Sequence, residues 1–358
     1  MVTRQVLRSD LAIPPGEYLV EVLEDLEMSQ ADLARRMGRP SQAINEIVHG
    51  KKAITPETAI QLEKVTGVPA HVWTGLEEEY RLILAQEEEE EFLKREAELV
   101  DVELYRSMAK LGWVSAARRP VDKARVLCNY FGVASLAYLG DAKLSGYAFR
   151  IADREGASSL ALAAWLRRAE LSARSIETEP YDATGFMRAL TDLRAYTLLP
   201  PGDWQRALRE RLATVGVALV VQPHLPKTFA NGATFWTSPD KAVVVLSLRG
   251  AWADIFWVTL FHELGHVKLH GKRDPHVSID RADDPVEVEA NRFARDTLIP
   301  SSEFEEFLLG GDYSERTVEI FSERVGIASG VVVGRLQHEK LVPHNRLNHL
   351  REKLEFVT

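Results

Sequence analysis

WVTLFHELGHVKLH, residues 257–270, sets His262 and His266 four positions apart with Glu263 beside the first of them. On a helix of 3.6 residues per turn, positions four apart share one face. The pair can therefore offer two imidazoles to one Zn2+, with Glu263 placed to polarise a water. Val258, Leu260, Phe261, Leu264, Val267 and Leu269 supply the apolar surface of a core helix, and Gly265 leaves room for close approach. Histidines spent there on packing alone would need partners for their polar nitrogens. The pattern H-E-x-x-H is that of zinc-dependent peptide hydrolysis, in which Glu263 is the proton acceptor.

A catalytic zinc takes three protein ligands and keeps a fourth position for water. The segment PVEVEANRFARDTLIP, Pro285 to Pro300, reads as a helix opened by Asp283, Asp284 and Pro285. Glu287 and Glu289 both lie on it. At ~100° per residue they point about 200° apart, so they are unequal candidates, and spacing alone does not choose between them.

HELGHVKLHG followed by EVEANRFARDTLIP resembles the ImmA/IrrE metallopeptidases, and GATFWTSPDKAVVVLSLRGAWADIFWVTLFHELGH is similar to members of the same family. The resemblance spans roughly Leu212 to Leu350. It implies an α+β zincin-like core, a zinc cofactor and regulated cleavage of a partner repressor or antitoxin-type protein. In that family the Glu directly before Ala is the third zinc ligand, which the resemblance carries to Glu289. His270, one turn beyond His266, is a candidate for the shell around the ligands. An oxyanion-stabilising group is not assigned; His224, His270 and His276 are the weak candidates.

The first eighty residues carry a different pattern. Leu19, Val22, Leu23 and Leu26 mark one helix face; QADLARRM follows a capping Ser29 and stops at Gly38; QAINEIVH follows Ser41 and stops at Gly50. Two short helices around a tight turn form a helix-turn-helix, whose second member enters the DNA major groove. PPGEYL, MSQADLARRMG, INEIVHGKKAIT, TAIQLEKVTG and VPAHVW resemble Xre-type DNA-binding domains, most closely the HigA-like antitoxin branch. On that pattern Ser41 to His49 is the recognition helix. Ser41, Gln42 and Asn45 would read base edges, while Gln30, Arg39 and Lys51 would meet phosphates. Operator DNA is the implied partner, read by a homodimer.

A net charge of −9 over 358 residues argues against a protein that coats nucleic acid generally, but leaves room for a local site. The single cysteine, Cys128, cannot form an internal disulfide and reads as a small core residue. No apolar run approaches a membrane span, and the expected location is cytoplasmic.

The expected fold is multidomain and mainly α with a small β-sheet. Its expected parts are a helix-turn-helix domain at 1–76, a charged linker helix at 77–105 and a helical middle region at 106–200. A zincin-like core at 201–300 and a helical segment at 301–358, itself helix-turn-helix-like, complete it. VALVVQP, GATFWTS and AVVVLSL are the strands. Val243 to Leu248 is the candidate edge for holding a substrate as an added strand, with a central position equally open.

Overall fold

The computed structural model describes residues 12–141, 148, 156–247, 252–278 and 284–354. Leu248 and Asp283, named above, lie outside the described residues, as do residues 1–11 of the first expected domain. The chain divides into two compact units, Met1–Leu99 with Arg119–Arg125, and Val100–Arg118 with Val126–Thr358.

The first unit is built from α1 (Pro15–Asp25), α2 (Gln30–Met37), α3 (Ser41–Val48), α4 (Pro56–Thr66) and α5 (Ala70–Glu96). Leu19, Leu23, Leu33, Ile44, Ile47, Leu62 and Trp73 form its core. Ser29 caps α2 by accepting from the Asp32 amide at 3.1 Å, and Thr55 caps α4 by accepting from Thr58 at 3.3 Å. Ser41 does not cap α3. Pro40 takes the cap position with its ring-fixed φ of −59°, which makes Ser41 the first helical residue. Nor does a boundary fall at residue 77. Buried Glu77 accepts from the Ile54 amide at 3.0 Å and from Arg81 Nε at 2.7 Å, tying α5 into this unit.

The second unit holds a four-stranded sheet of β1 (Val217–Gln222), β2 (Gly232–Ser238), β3 (Lys241–Ser247) and β4 (His276–Ser278). Their order is β1-β3-β2-β4, with β1 and β3 parallel and the other pairs antiparallel. The candidate edge is therefore interior, and β1 and β4 are the edges. The reason is visible in burial: every residue from Ala242 to Leu246 is covered, as a strand flanked on both sides and both faces requires.

Successive side chains on a strand face opposite ways, and the two cores divide along that period. Val217, Leu219, Ala242, Val244 and Leu246 pack toward α11 (Ala253–Leu269), α12 (Pro285–Leu298), α13 (Ser301–Leu309), α14 (Glu315–Val325) and α15 (Ser329–His338). Ala218, Val220, Ala233, Phe235, Val243 and Val245 pack toward α6 (Val102–Lys110), the C-terminal part of α7 (Pro120–Phe131) and α8 (Ser159–Arg174). Two helices, α9 (Ala183–Ala195) and α10 (Pro201–Ala213), complete the first of these layers. The middle region is thus divided between the layers: its part up to α8 is the second cover of the sheet, and α9 joins the first. Residues beyond 300 are no separate segment either, because Phe304, Phe321, Val332 and Leu336 share one core with Trp257 and Phe261.

Candidate metal centre

Helix α11 carries His262, Glu263 and His266, all buried against the sheet. Helix α12 crosses it closely. A Cβ on Gly265 would lie 3.3 Å from the Ala290 Cα and 3.1 Å from Phe293, so only glycine admits this approach without displacement. Turning Ala290 toward α11 fixes the phase of α12. Glu287 and Asn291, three before and one after Ala290, then lie on the same side.

Glu287, not Glu289, meets the two histidines. Its Oε2 lies 3.1 Å from His262 Nε2, its Oε1 lies 3.4 Å from His266 Nε2, and the two Nε2 atoms are 3.0 Å apart. Glu289, the ligand implied by the ImmA/IrrE resemblance, has a 56% exposed side chain whose Oε2 is 3.4 Å from His270 Nε2. It cannot serve from that face, because the contact of Ala290 with Gly265 sets the helix rotation.

The three converging donors fit zinc. Tetrahedral ligands at about 2.0–2.1 Å from the ion sit about 3.3 Å from one another, close to the three spacings found. The tautomers also fit. Asn291 Oδ1 only accepts, so His262 Nδ1, 2.9 Å away, holds the proton and Nε2 presents its lone pair. His270 donates from Nε2 toward Glu289 and accepts at Nδ1 from His266 Nδ1, 2.8 Å away, which frees His266 Nε2 likewise. Each imidazole is thus oriented by an outer partner, the arrangement that raises ligand basicity.

Electrostatics agree with a cation-binding set. Burial would raise the Glu287 carboxyl, but hydrogen bonds and charge from His262 and His266 outweigh it and hold it down at about 2. Burial, with the adjoining imidazoles of His266 and His270, lowers His276 to about 4, so it is neutral at ordinary pH. Its ring stacks on His266 at 4.7 Å, and its buried Nε2 has no hydrogen-bond partner among the described residues.

Glu263 is held in a pocket of hydroxyls. Thr234 Oγ1 donates to its Oε2 at 2.7 Å and Ser278 Oγ to its Oε1 at 2.6 Å. A Cβ on Gly232 would lie 2.4 Å from Oε1, so the first residue of β2 must be glycine for the carboxylate to fit. Burial raises the Glu263 carboxyl above its ordinary value against the lowering effect of both histidines and both hydroxyls. Sequence reading missed Thr234, Ser278 and Asn291, since their roles depend on the crossing of β2, β4 and α12 over α11. The N in EAN was the one legible signal, standing four residues after Glu287.

A cleft of about 730 Å³ opens on this centre, with His262, Ser278, Glu287 and Asn291 in its wall. The first unit displays the other expected set. Ser41, Gln42 and Asn45 are exposed on α3, as is Lys51 after it; Gln30 starts α2 and is half-buried. Gln42 donates to Glu46 at 2.9 Å, and Arg39 donates from Nε to Gln61 at 2.6 Å. Arg35 and Arg36, which the sequence reading did not single out, add exposed cations on α2.

A helix-turn-helix unit and a mainly helical unit with a small sheet and an H-E-x-x-H helix define a regulator with a peptidase-like domain. Comparison with known proteins makes the class specific. Residues 19–73 match the helix-turn-helix family, and residues 234–337 match the IrrE N-terminal-like domain of the M78 peptidase family. The chain is 33% identical over 72 residues to the uncharacterised HTH-type transcriptional regulator YddM of Escherichia coli K12, covering 20% of this chain and 77% of that protein. It is 34% identical over 80 residues to virulence-associated protein I of Dichelobacter nodosus, covering 22% and 74% respectively. A solved addiction module antidote protein of the HigA family from Coxiella burnetii shares 30% identity over 24% of this chain and 92% of its own, with a TM-score of 0.22. The chain belongs to the helix-turn-helix transcriptional regulators through its first unit and carries an IrrE N-terminal-like domain in its second. Among the described residues, no helix is long and apolar enough to cross a membrane.

Proposed function

We propose that the chain is a DNA-binding regulator whose second unit is a zinc-dependent endopeptidase acting on a partner repressor or antitoxin-type protein. The observation that carries this reading is the convergence of His262 Nε2, His266 Nε2 and a Glu287 carboxylate beside Glu263. Those three residues would hold zinc, which when bound acidifies a water and polarises a peptide carbonyl. Glu263 takes the proton of the attacking water on a carboxylate oxygen and passes it to the leaving amine nitrogen. Thr234 and Ser278 orient that carboxylate, and its raised pKa suits it to hold the proton between the two transfers. Asn291 and His270 select the neutral tautomers whose Nε2 lone pairs face the site. In the first unit Ser41, Gln42 and Asn45 read bases, and Gln30, Arg39 and Lys51 meet phosphates of an operator bound by a homodimer.

A second reading has its own observation. Both oxygens of Glu263 are taken by hydroxyls, and the residue is fully buried outside the cleft wall. That arrangement supports an antitoxin-like regulator in which the peptidase fold senses or docks a partner without hydrolysis.

One experiment separates the two. The full chain, loaded with one equivalent of zinc, is incubated with candidate repressors and antitoxin-type proteins expressed from neighbouring genes, alongside Glu263→Gln. Cleavage by the wild type that is lost in Glu263→Gln supports the peptidase. Stable binding of such a protein to both forms, with no cleavage by either, establishes the second reading.

A further inference from the structure

The cleft beside the metal centre has a chemical bias, and the inference drawn from it rests on the peptide-hydrolase reading of that same cleft. Glu287, Asn291 and Arg295 stand four residues apart on α12, so they form one row along the wall. Opposite them α11 presents Ile255 and Val258, which are 41% and 39% exposed, large values for aliphatic residues on a core helix. The groove therefore offers an apolar floor beside the metal centre and a cation about two turns of α12 beyond Glu287.

Not all its basic residues are available. Arg351 is neutralised by Asp254, with Nε and Nη2 at 3.0 and 2.8 Å from the two carboxylate oxygens. Arg335 donates to Glu339 Oε1 and to the Ile299 carbonyl, each at 3.0 Å. Arg295 is exposed and has no carboxylate partner among the described residues. The imidazoles of His338 and His344 line the same region, whereas among the described residues the carboxylates in the wall are Asp254, already paired, and Glu287 at the metal centre. Among the described residues, the one unpaired guanidinium that an occupant of this groove meets is that of Arg295.

We propose that the cleft selects an extended peptide that places apolar side chains over Ile255 and Val258 and an acidic side chain against Arg295. Distance fixes the register. Arg295 is eight residues past Glu287, which is about 12 Å along a helix. An extended strand rises about 3.3 Å per residue, so the acidic residue lies roughly three to four positions from the bond held at the metal centre. A guanidinium pairs with a carboxylate through a fork of N–H donors, a geometry that lysine or a lone imidazole does not supply.

Fluorescein-labelled decapeptides of one apolar sequence, differing only in Glu, Gln or Lys at the third and fourth positions from the central bond, test this. Binding is read by fluorescence anisotropy on zinc-loaded full-length Glu263→Gln protein. The Glu peptide binds about tenfold more tightly than the Gln peptide, as expected for a charge-assisted hydrogen bond, and the Lys peptide binds most weakly. Arg295→Glu reverses the order, while Arg295→Lys keeps a reduced preference. Equal binding of the three peptides, binding of none, or an acidic preference that survives Arg295→Glu would overturn the assignment. Cleavage of the Glu peptide by wild-type protein is scored separately: a peptide bound selectively but never cut keeps the selectivity and removes the hydrolase.

Discussion

His262 Nδ1 lies 2.9 Å from Asn291 Oδ1, and this contact across two helices selects the tautomer that leaves His262 Nε2 free to ligate. Asn291→Leu removes the acceptor at nearly constant volume. The imidazole then loses both its orientation and its proton's partner. Such losses around a metal typically cost 10–100-fold in affinity, so a drop of about that size is expected. Competition against a chromophoric chelator measures it, and an unchanged dissociation constant would remove Asn291 from the site.

The two glutamates of α12 separate by zinc stoichiometry and affinity. Glu287→Gln replaces a ligand, and zinc content by elemental analysis should fall from about one per chain to near zero. Glu289→Gln alters only the acceptor for His270, so stoichiometry should hold and affinity should weaken more modestly. The opposite pattern would restore Glu289 as the ligand and require α12 to be rotated from the phase described here.

That confusion marks where the sequence stops being informative. His262, Glu263 and His266 were legible because the i, i+4 relation acts within one helix. The helix-turn-helix was legible for a similar reason, since its caps at Ser29 and Thr55 and its stop at Gly38 are local signals. The choice of Glu287 over Glu289 depends on which face α12 turns to α11, and Gly265 against Ala290 decides it. The strand order was equally hidden: Ala242–Leu246 reads as apolar throughout, which fits a covered strand but says nothing of its neighbours. The role of α6, α7 and α8 was hidden because their partner, the second face of the sheet, lies well over forty residues further along from most of them.

Stability of the metal centre should depend on pH with opposite sign in the two metal states. Burial lowers His262, but hydrogen bonds and charge from Glu287, Glu263 and Asn291 outweigh it and raise it above its ordinary value. A raised histidine contributes stability below its unfolded pKa, about 6.5, and loses it as pH climbs through the folded value. Depressed Glu287 contributes above its unfolded pKa and loses it as pH falls toward about 2. The metal-free protein therefore gains most from this cluster between roughly pH 4.5 and 6.5. Zinc requires neutral imidazoles, so the rise in Tm on adding zinc should grow from pH 5.5 to 7.5. A zinc-induced shift that is constant across that range in scanning calorimetry would contradict the ligand assignment.

On the first unit, Asn45 and Lys51 should respond differently to substitution. Asn45→Ala should cost about 1–3 kcal/mol of discrimination at one base pair, whereas Lys51→Ala should weaken all sequences alike and reduce the salt slope by about one. Titrations of operator and scrambled duplexes at several salt concentrations distinguish the effects. If both substitutions leave binding unaltered, α3 is not the reading element.

Asp254 and Arg351 form a buried pair at the start of the metal helix, with side chains only 4% and 10% exposed. Arg351 also donates to Gln337 Oε1 at 2.9 Å, and the adjoining Glu352 carbonyl accepts from the Ala253 amide at 2.9 Å. These contacts fasten the segment around Arg351 to the N-terminal end of α11. Arg351→Met leaves the Asp254 carboxylate buried without its partner, and removal of one member of such a pair typically costs about 3–5 kcal/mol. Adding Asp254→Asn removes the orphaned charge and should recover a large part of the loss. Urea unfolding of the single and double variants gives the coupling between them. A double variant no more stable than Arg351→Met would mean that the pair holds the segment by shape rather than by charge.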